Sequence, residues 1–247
     1  MIETKKNPFE FRYRSGVIAL IYAAGFSCGA FDHQNVAHWI AGQWNGALRP
    51  LGSTSIHHDV QAVLAVGSAL VIAAAILRSW GTAYLKRDVV FDPNLRSERV
   101  VADGPYRYVR NPLYVGSLLL AAGVGVLASP WGWVIIFAGN LAFHYRLITL
   151  EEPQLLRDQG ERYRAYCQAV PRLWPALRPR LPASGARPEW RQALRGELFI
   201  WLFAAAVLAA ALTTSPWVFW TLLDSALAVF VIDRVSNRLG RRQAKSA

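Results

Sequence analysis

The sequence predicts an all-α protein that crosses a membrane several times. The 247 residues are 53% hydrophobic and only 17% charged. Long windows lack any Lys, Arg, Asp or Glu, for example 112–145, and no stretch alternates strand and helix signals. A membrane-spanning helix needs about 20 mostly apolar residues, with a lower limit near 17. We therefore expect about six spans in helical hairpins, a cytoplasmic amphipathic helix and no Rossmann fold.

The six expected spans follow the apolar windows of the sequence. They are 16–31, 60–80, 112–128, 131–150, 197–213 and 216–232. Two short turns, SPWGW at 129–133 and TSPWV at 214–218, each join two consecutive spans. Proline in these turns is expected to begin the next helix, because the first helical turn does not use its N–H. Each of the two pairs is therefore predicted to form a tight helical hairpin.

The basic residues predict an orientation for these spans. The chain carries a formal net charge of +11, and all its Lys and Arg except Arg49 fall on one side if both termini are cytoplasmic. This bias follows the positive-inside rule and predicts an integral protein of the inner (cytoplasmic) membrane, with both termini in the cytosol. It also argues against nucleic-acid binding, because nucleic-acid-binding proteins gather their charge on one soluble face.

Three regions are expected along the chain. Residues 1–77 would hold N-terminal spans and an outside loop, residues 78–175 a central core, and residues 176–247 a C-terminal hairpin with a basic tail. Cys28 and Cys167 are assigned to membrane and cytosol, so no disulfide is expected.

Two patterns look functional but have simpler explanations. GVGVLA, at 123–128, matches a dinucleotide-binding fingerprint, but that motif needs a preceding strand. This copy lies in a segment predicted to be one continuous helix, which favours close helix packing through small residues. The outside loop is rich in histidine, but the spacing matches no helical ligand pair and we expect no metal site. Its histidines are His33, His38, His57 and His58.

The first stretch that carries chemistry is GPYRYVRNPLYVGS, residues 104–117. Pro112 suits a first helical turn, and a residue before proline is disfavoured in helical geometry, so the backbone before it should be irregular. The exposed N–H groups of such a helix start favour an anionic group. Tyr106, Tyr108 and Tyr114 offer ring faces and hydroxyl groups to a ligand.

The second stretch covers residues 145–175 and contains Glu151 and Glu152 directly before Pro153. Its apolar residues recur at near-helical spacing and predict an amphipathic helix on the membrane surface. They are Leu155, Leu156, Tyr163, Tyr166 and Val170. The hairpin should bring the two stretches together, and paired carboxylates suit a cation or ribose hydroxyls. Interfacial anchoring by Tyr and Arg explains the same composition, so residue types alone leave both interpretations open.

Together the two stretches resemble the signature shared by isoprenylcysteine carboxyl methyltransferases and phospholipid methyltransferases. That signature is G-x-Y-x-x-x-R-[HN]-P-x-Y-x-G, followed by E-E-x-x-L-x-x-x-x-G-x-x-Y-x-x-Y and V-P-R. The matching residues are Gly104, Tyr106, Arg110, Asn111, Pro112, Tyr114, Gly116, Glu151, Glu152, Leu155, Gly160, Tyr163, Tyr166, Val170, Pro171 and Arg172. The resemblance covers roughly residues 78–175. Asn111 is the form seen in the phospholipid branch, whereas the prenylcysteine branch usually has histidine there.

The resemblance implies an integral-membrane methyltransferase that uses S-adenosyl-L-methionine. Its cofactor-binding residues would be Val100, Val101, Tyr106, Asn111, Pro112, Leu113, Tyr114 and Glu151. Arg146 would orient the methyl acceptor, and Glu152 or Tyr114 would act as a base for an acceptor that must first lose a proton.

The acceptor is expected to be lipophilic or a small hydrophobic molecule. A carboxylate, a phospholipid or small amine, and a thiol all stay open. A non-enzymatic membrane protein that retains the fold is the alternative of a different class.

Overall fold

In a computed structural model of the protein, residues 9–47, 56–85 and 102–213 are described, with a few positions between 217 and 228. These residues form helices and irregular segments, and no strand occurs among them. The helices are α1 (Phe9–Ser27), α2 (Gly29–Asp32), α3 (Val36–Ala47), α4 (Ile56–Tyr84), α5 (Pro112–Gly125), α6 (Pro130–Gln159), α7 (Glu161–Ala169), α8 (Trp190–Gly196) and α9 (Leu198–Thr213), and a 3₁₀-helix (Gly104–Arg107) lies between α4 and α5.

Three helical segments are long and apolar enough to cross a membrane: Tyr13–Asp32, His58–Tyr84 and Pro130–Gln159. The pair α8 and α9, bent by 62°, is a fourth if it is one broken span. Six spans are therefore too many for the described residues. Helix α5 has only 14 residues, about 21 Å against a hydrocarbon core of about 30 Å. The predicted sixth span, 216–232, lies outside the described residues apart from a few positions.

The hairpin between α5 and α6 is confirmed. Pro112 and Pro130 both lie in the first turns of their helices. Asn111, the residue before Pro112, has the non-helical angles φ −123° and ψ 60°. Ser129 caps α6, because its hydroxyl accepts a hydrogen bond from the Gly132 N–H at 3.1 Å.

Helix α6 is longer than predicted. It runs through Pro153 to Gln159, whereas the sequence predicted an end at residue 150 and a separate amphipathic helix after the proline. Proline inside a helix costs a backbone hydrogen bond, and the packing of Leu155 and Leu156 against a cluster of Tyr163, Tyr166 and Val170 offsets this cost. The amphipathic face thus exists, but its apolar side is buried against the protein itself.

Small residues let α4 and α5 approach closely, as predicted. A Cβ atom on Gly123 would lie 2.6 Å from the carbonyl oxygen of Gly67. The prediction of one continuous helix through 128 is wrong, however, because α5 ends at Gly125. The carbonyl groups of Val126 and Ala128 then accept hydrogen bonds from Ala37 and Val36 at 3.4 and 2.9 Å. The segment predicted to be an outside loop therefore contains helix α3, which begins against this turn.

Gly123→Ala is expected to destabilise the protein by about 1–3 kcal/mol, the usual cost of overpacking a tight interior contact. The measurement is the melting temperature of the detergent-purified protein. Gly16→Ala is the matched control, since nothing lies within 4 Å of a Cβ there. Equal melting temperatures for the two variants would show that the crossing is looser than described.

A connecting segment, residues 170–189, runs beside residues 102–111. Backbone N–H groups of Arg110, Ala176 and Arg180 donate to the carbonyls of Pro171, Tyr108 and Arg107, each at 2.9 Å.

The buried Asp103 carboxylate holds the C-terminal part of the connecting segment in place. It accepts hydrogen bonds from the backbone N–H groups of Ser184 and Ala186 at 2.8 and 3.0 Å, and from the Ser184 hydroxyl. Burial alone would raise the pKa of Asp103, but the hydrogen bonds outweigh burial and hold this pKa below its usual value. The contacts therefore stabilise the fold at pH values above the pKa of aspartate in the unfolded chain. This stabilisation is lost as the pH falls through the lower pKa of Asp103 in the folded protein.

Candidate active site where the central hairpin opens

The two polar stretches meet at the open end of the α5–α6 hairpin. Tyr114 lies in the first turn of α5, and Glu151 lies late in α6. The Tyr114 hydroxyl donates a hydrogen bond to Glu151 Oε1 at 2.9 Å. Two of the predicted site residues, 37 positions apart, are thus in direct contact.

Glu152 lies between two arginines. Arg110 Nη2 is 3.4 Å from Glu152 Oε1, and Arg172 Nη2 donates to Glu152 Oε2. The Glu152 side chain is only 11% exposed. Arg172 also donates to the Tyr145 hydroxyl at 3.2 Å and lies over the Tyr145 ring, 5.6 Å from its centre. Two guanidinium groups thus engage the Glu152 carboxylate.

This cluster has unused hydrogen-bonding capacity. Three side-chain atoms are buried without a hydrogen-bond partner: Arg110 Nε, Arg172 Nε and Glu152 Oε1. The ion pair between Glu152 Oε1 and Arg110 Nη2, at 3.4 Å, does not meet the geometry of a hydrogen bond. Buried unpaired polar atoms are costly and usually signal a missing partner. A ligand with both donors and acceptors, such as the amino-acid end or the ribose of S-adenosyl-L-methionine, has the groups that these atoms need. The residues present therefore fit that cofactor.

The other predicted cofactor-binding residues are dispersed around this point. Asn111 Nδ2 donates to the Arg172 carbonyl at 3.1 Å, so its side chain holds the connecting segment. Tyr106 is buried, and its carbonyl accepts from the Tyr166 hydroxyl at 2.9 Å. Burial raises the pKa of both phenols, which keeps them neutral. Val100 and Val101 lie outside the described residues.

The structure does not bring Arg146 together with Tyr114 and Glu151. The Arg146 side chain is 65% exposed and forms an ion pair with Glu10 of α1. It precedes Glu151 by five residues, which places it about 140° around the α6 axis. In this structure Arg146 joins α1 to α6.

His144 contributes to the site and was not predicted. It precedes Glu151 by seven residues, about two helical turns, and so lies on the same face of α6. Its ring centre is 5.2 Å from that of Tyr114, and its exposed fraction is 2%. The signal in the sequence was an ionisable side chain within an apolar window, which in membrane proteins is a functional hypothesis by default.

A second network, also not predicted, supports the first turn of α5. Arg78 Nε donates to Glu197 Oε2 at 2.8 Å, and Arg78 Nη1 donates to Ser117 Oγ at 2.8 Å and to the Leu113 carbonyl at 3.2 Å. The Thr82 hydroxyl donates to Glu197 Oε1 at 2.9 Å. Glu197 lies at the break between α8 and α9. The network therefore joins α4, α5 and the bent pair.

The glycine that ends the first signature block is explained by this network. A Cβ atom on Gly116 would lie 2.4 Å from Cγ of Arg78. Only glycine leaves room for the arginine to cross α5 and reach Ser117.

Comparison with known proteins agrees with the geometry. Residues 62–162 match the phospholipid methyltransferase family. This match confirms the predicted resemblance to a superfamily of membrane methyltransferases.

Three relatives match parts of the chain. The nickel-cobalt-cadmium resistance protein NccN of Alcaligenes xylosoxydans xylosoxydans is 28% identical over 47% of this chain and 51% of its own length. The cobalt-zinc-cadmium resistance protein CzcN of Cupriavidus metallidurans is 25% identical over 68% of this chain and 67% of its own length. The protein-S-isoprenylcysteine O-methyltransferase of Schizosaccharomyces pombe is 33% identical over 34% of this chain and 36% of its own length. The chain thus spans about half of NccN and about a third of the yeast enzyme. No solved structure matches it.

The segment that matches the phospholipid methyltransferase family contains most, but not all, of the site. Arg78, Tyr114, His144, Glu151 and Glu152 lie within 62–162. Arg172, which donates to Glu152, and Glu197, which pairs with Arg78, lie beyond it. Residues after the matched segment therefore complete the arrangement.

Proposed function

We propose that the protein is an S-adenosyl-L-methionine-dependent membrane methyltransferase that acts on a lipophilic acceptor. The hydrogen bond between Tyr114 and Glu151 carries this proposal, because it joins both halves of the methyltransferase signature in one place. The buried, unpaired atoms of Arg110, Glu152 and Arg172 support it further.

The chain's own residues would bind and align the reactants. When bound, S-adenosyl-L-methionine supplies a methyl group activated by a positive sulfur. Held in position, reactants gain about 7–11 kcal/mol from proximity and orientation. The residues proposed to hold the cofactor are Val100, Val101, Tyr106, Asn111, Pro112, Leu113, Tyr114 and Glu151. The Glu151 carboxyl group lies beside them and accepts the hydrogen bond from Tyr114, and the apolar helices around α5 exclude water.

The acceptor would approach from the bilayer while the cofactor arrives from the cytosol. We place both termini and the site on the cytoplasmic side of the inner membrane, as the distribution of basic residues predicts. An anionic acceptor would have to displace Glu10 to bind Arg146. A phospholipid or small amine or a thiol would have no such competitor. An isoprenylcysteine-like carboxylate therefore requires one more step than these alternatives.

S-Adenosylhomocysteine is expected to raise the melting temperature of the detergent-purified protein, because a ligand that binds only the folded state stabilises it. At 100 times the Kd the stabilisation is about 2.7 kcal/mol. Glu151→Gln and Tyr114→Phe should reduce the shift. Glu161→Gln, at a residue whose side chain is 82% exposed on α7, is the matched control and should leave it unchanged.

Membranes that contain the protein, incubated with a labelled methyl donor and extracted, would then identify the product. No thermal shift at millimolar S-adenosylhomocysteine, together with no labelled product, would favour the non-enzymatic alternative.

A further inference from the structure

The tautomer of the neutral His144 ring is fixed by its own helix. Its Nδ1 lies 2.6 Å from the carbonyl oxygen of Asn140, one turn earlier in α6. A carbonyl oxygen only accepts, so Nδ1 carries the hydrogen, and in the neutral ring Nε2 keeps a free lone pair. Within the described part of the chain, Nε2 makes no hydrogen bond.

The imidazole ring of His144 lies beside the proposed site. Its ring packs against Tyr114, whose hydroxyl is bound to Glu151. Arg78 of α4 acts electrostatically on His144, and Arg14 of α1 acts on Tyr114 and Glu151. The charged and titratable groups that act on the imidazole are thus Tyr114 and Arg78, while Arg14 and, on its own helix, Glu151 act on Tyr114 beside it. An almost fully buried ionisable group in an apolar helix is costly and calls for a function.

The two bases that the sequence suggested are both engaged. The Tyr114 hydroxyl donates a hydrogen bond to Glu151, so it still carries its proton and is not a base. Glu152 is paired with Arg110 and Arg172. Glu152 Oε1 also lacks a hydrogen-bond partner, but its carboxylate is held in ion pairs with two arginines. His144 Nε2 is an unpaired acceptor atom in a fixed tautomer.

We infer that His144 is the proton acceptor for methyl transfer, and this inference rests on the proposed function. The proton first moves from the acceptor atom X to His144 Nε2, which frees a lone pair on X. That lone pair forms the new X–CH₃ bond while the C–S bond of the methylsulfonium donor breaks and sulfur keeps the electron pair, and the proton on His144 is later released to water. His144 thus serves an amine or thiol acceptor, whose proton must leave. A carboxylate is already ionised at neutral pH and needs no base.

The test compares wild type with His144→Gln in full-length, detergent-purified protein, using three acceptors of equal chain length: dodecylamine, dodecanethiol and dodecanoate. At pH 7 the variant is expected to methylate the amine or thiol at least about 100-fold more slowly, the usual contribution of a general base. Part of the loss with the thiol should disappear as the pH rises, because more of the thiol is then ionised without a base. The S-adenosylhomocysteine thermal shift should stay as in wild type. His58→Gln, an exposed position on α4, is the control and should behave as wild type throughout.

Three results would overturn the inference. The first is a rate within about threefold of wild type at pH 7. The second is a loss that is equal at every pH and is accompanied by a loss of the thermal shift, which would show a structural role. The third is a wild-type enzyme that methylates dodecanoate only. If wild type shows neither a thermal shift nor methylation of any acceptor, the proposed function itself is wrong, and the inference about His144 is then wrong as well.

A measurement without turnover gives an independent test. In protein labelled with ¹⁵N-histidine, the signals absent from His144→Gln belong to His144. They should show a protonated Nδ1 and a bare Nε2. A protonated Nε2 in the neutral ring would contradict the inference whatever the activity.

Discussion

Glu197→Ala is expected to destabilise the protein by about 3–5 kcal/mol, because removing one partner of a buried ion pair leaves the other charge uncompensated. The Glu197 side chain is 8% exposed and that of Arg78 is 22% exposed. The substitution also removes the acceptor of the Thr82 hydroxyl. The measurement is the melting temperature and the free energy of unfolding of purified protein. Glu189→Ala, at an exposed residue next to α8, should change neither.

The same pair separates stability from ligand binding. Replacing a buried ion pair with apolar residues of similar volume is often neutral or stabilising, so Arg78→Met combined with Glu197→Leu should regain much of the lost stability. The double variant still lacks the hydrogen bonds from Arg78 to Ser117 and to the Leu113 carbonyl. The first turn of α5 is then free to shift, and S-adenosylhomocysteine should stabilise this variant less than wild type. A cost below about 1 kcal/mol for Glu197→Ala would show that the pair does not hold the helices together.

The central hairpin and its site contact could be predicted because their signals are local. Pro112 and Pro130 mark the two helix starts, and a short turn between apolar segments leaves an antiparallel pair as the simplest arrangement. Once the hairpin is predicted, Tyr114 and Glu151 must lie at the same end. Their hydrogen bond follows from this geometry.

The number of spans could not be predicted from hydropathy. An apolar window does not distinguish a helix that faces lipid from one that packs inside the protein. Helix α5 belongs to the second kind, since its glycines and alanines pack against α4 and α6. The break between α8 and α9 at Glu197 also has no signal in the hydropathy, because Glu197 is paired with an arginine 119 residues away.

The remaining parts of the site depend on contacts between distant segments. Arg172 reaches Glu152 because the connecting segment pairs with residues 107–110 through backbone hydrogen bonds, which have no periodic signature. His144 was overlooked for another reason. One histidine in an apolar window looks like a core residue until its tautomer and its contact with Tyr114 are known.

Glu152→Ala is expected to have the largest effect at the site itself. Glu152 is the only carboxylate that the described contacts place between Arg110 and Arg172, and without it two guanidinium groups face each other with no counter-ion. Arg110 is 10% exposed and Arg172 is 36% exposed. Leaving a buried charge unpaired costs about 3–5 kcal/mol, so we expect a loss of stability at the lower end of that range, since only Arg110 is buried, and a loss of the thermal shift with S-adenosylhomocysteine. The matched control is Glu161→Ala, which breaks the exposed ion pair with Arg164 on α7 and should cost no more than about 1 kcal/mol.

Salt distinguishes this explanation from a simple packing defect. Chloride at high concentration supplies a counter-ion to the two arginines, so the melting temperature of Glu152→Ala should rise towards that of wild type as salt is added. Glu152→Gln keeps the volume and one carbonyl acceptor but not the charge, and it should show the same dependence. If Glu152→Gln is as stable as wild type at low salt, the two arginines do not need the carboxylate. The unpaired Nε atoms of Arg110 and Arg172 would then no longer point to an anionic ligand group at this position.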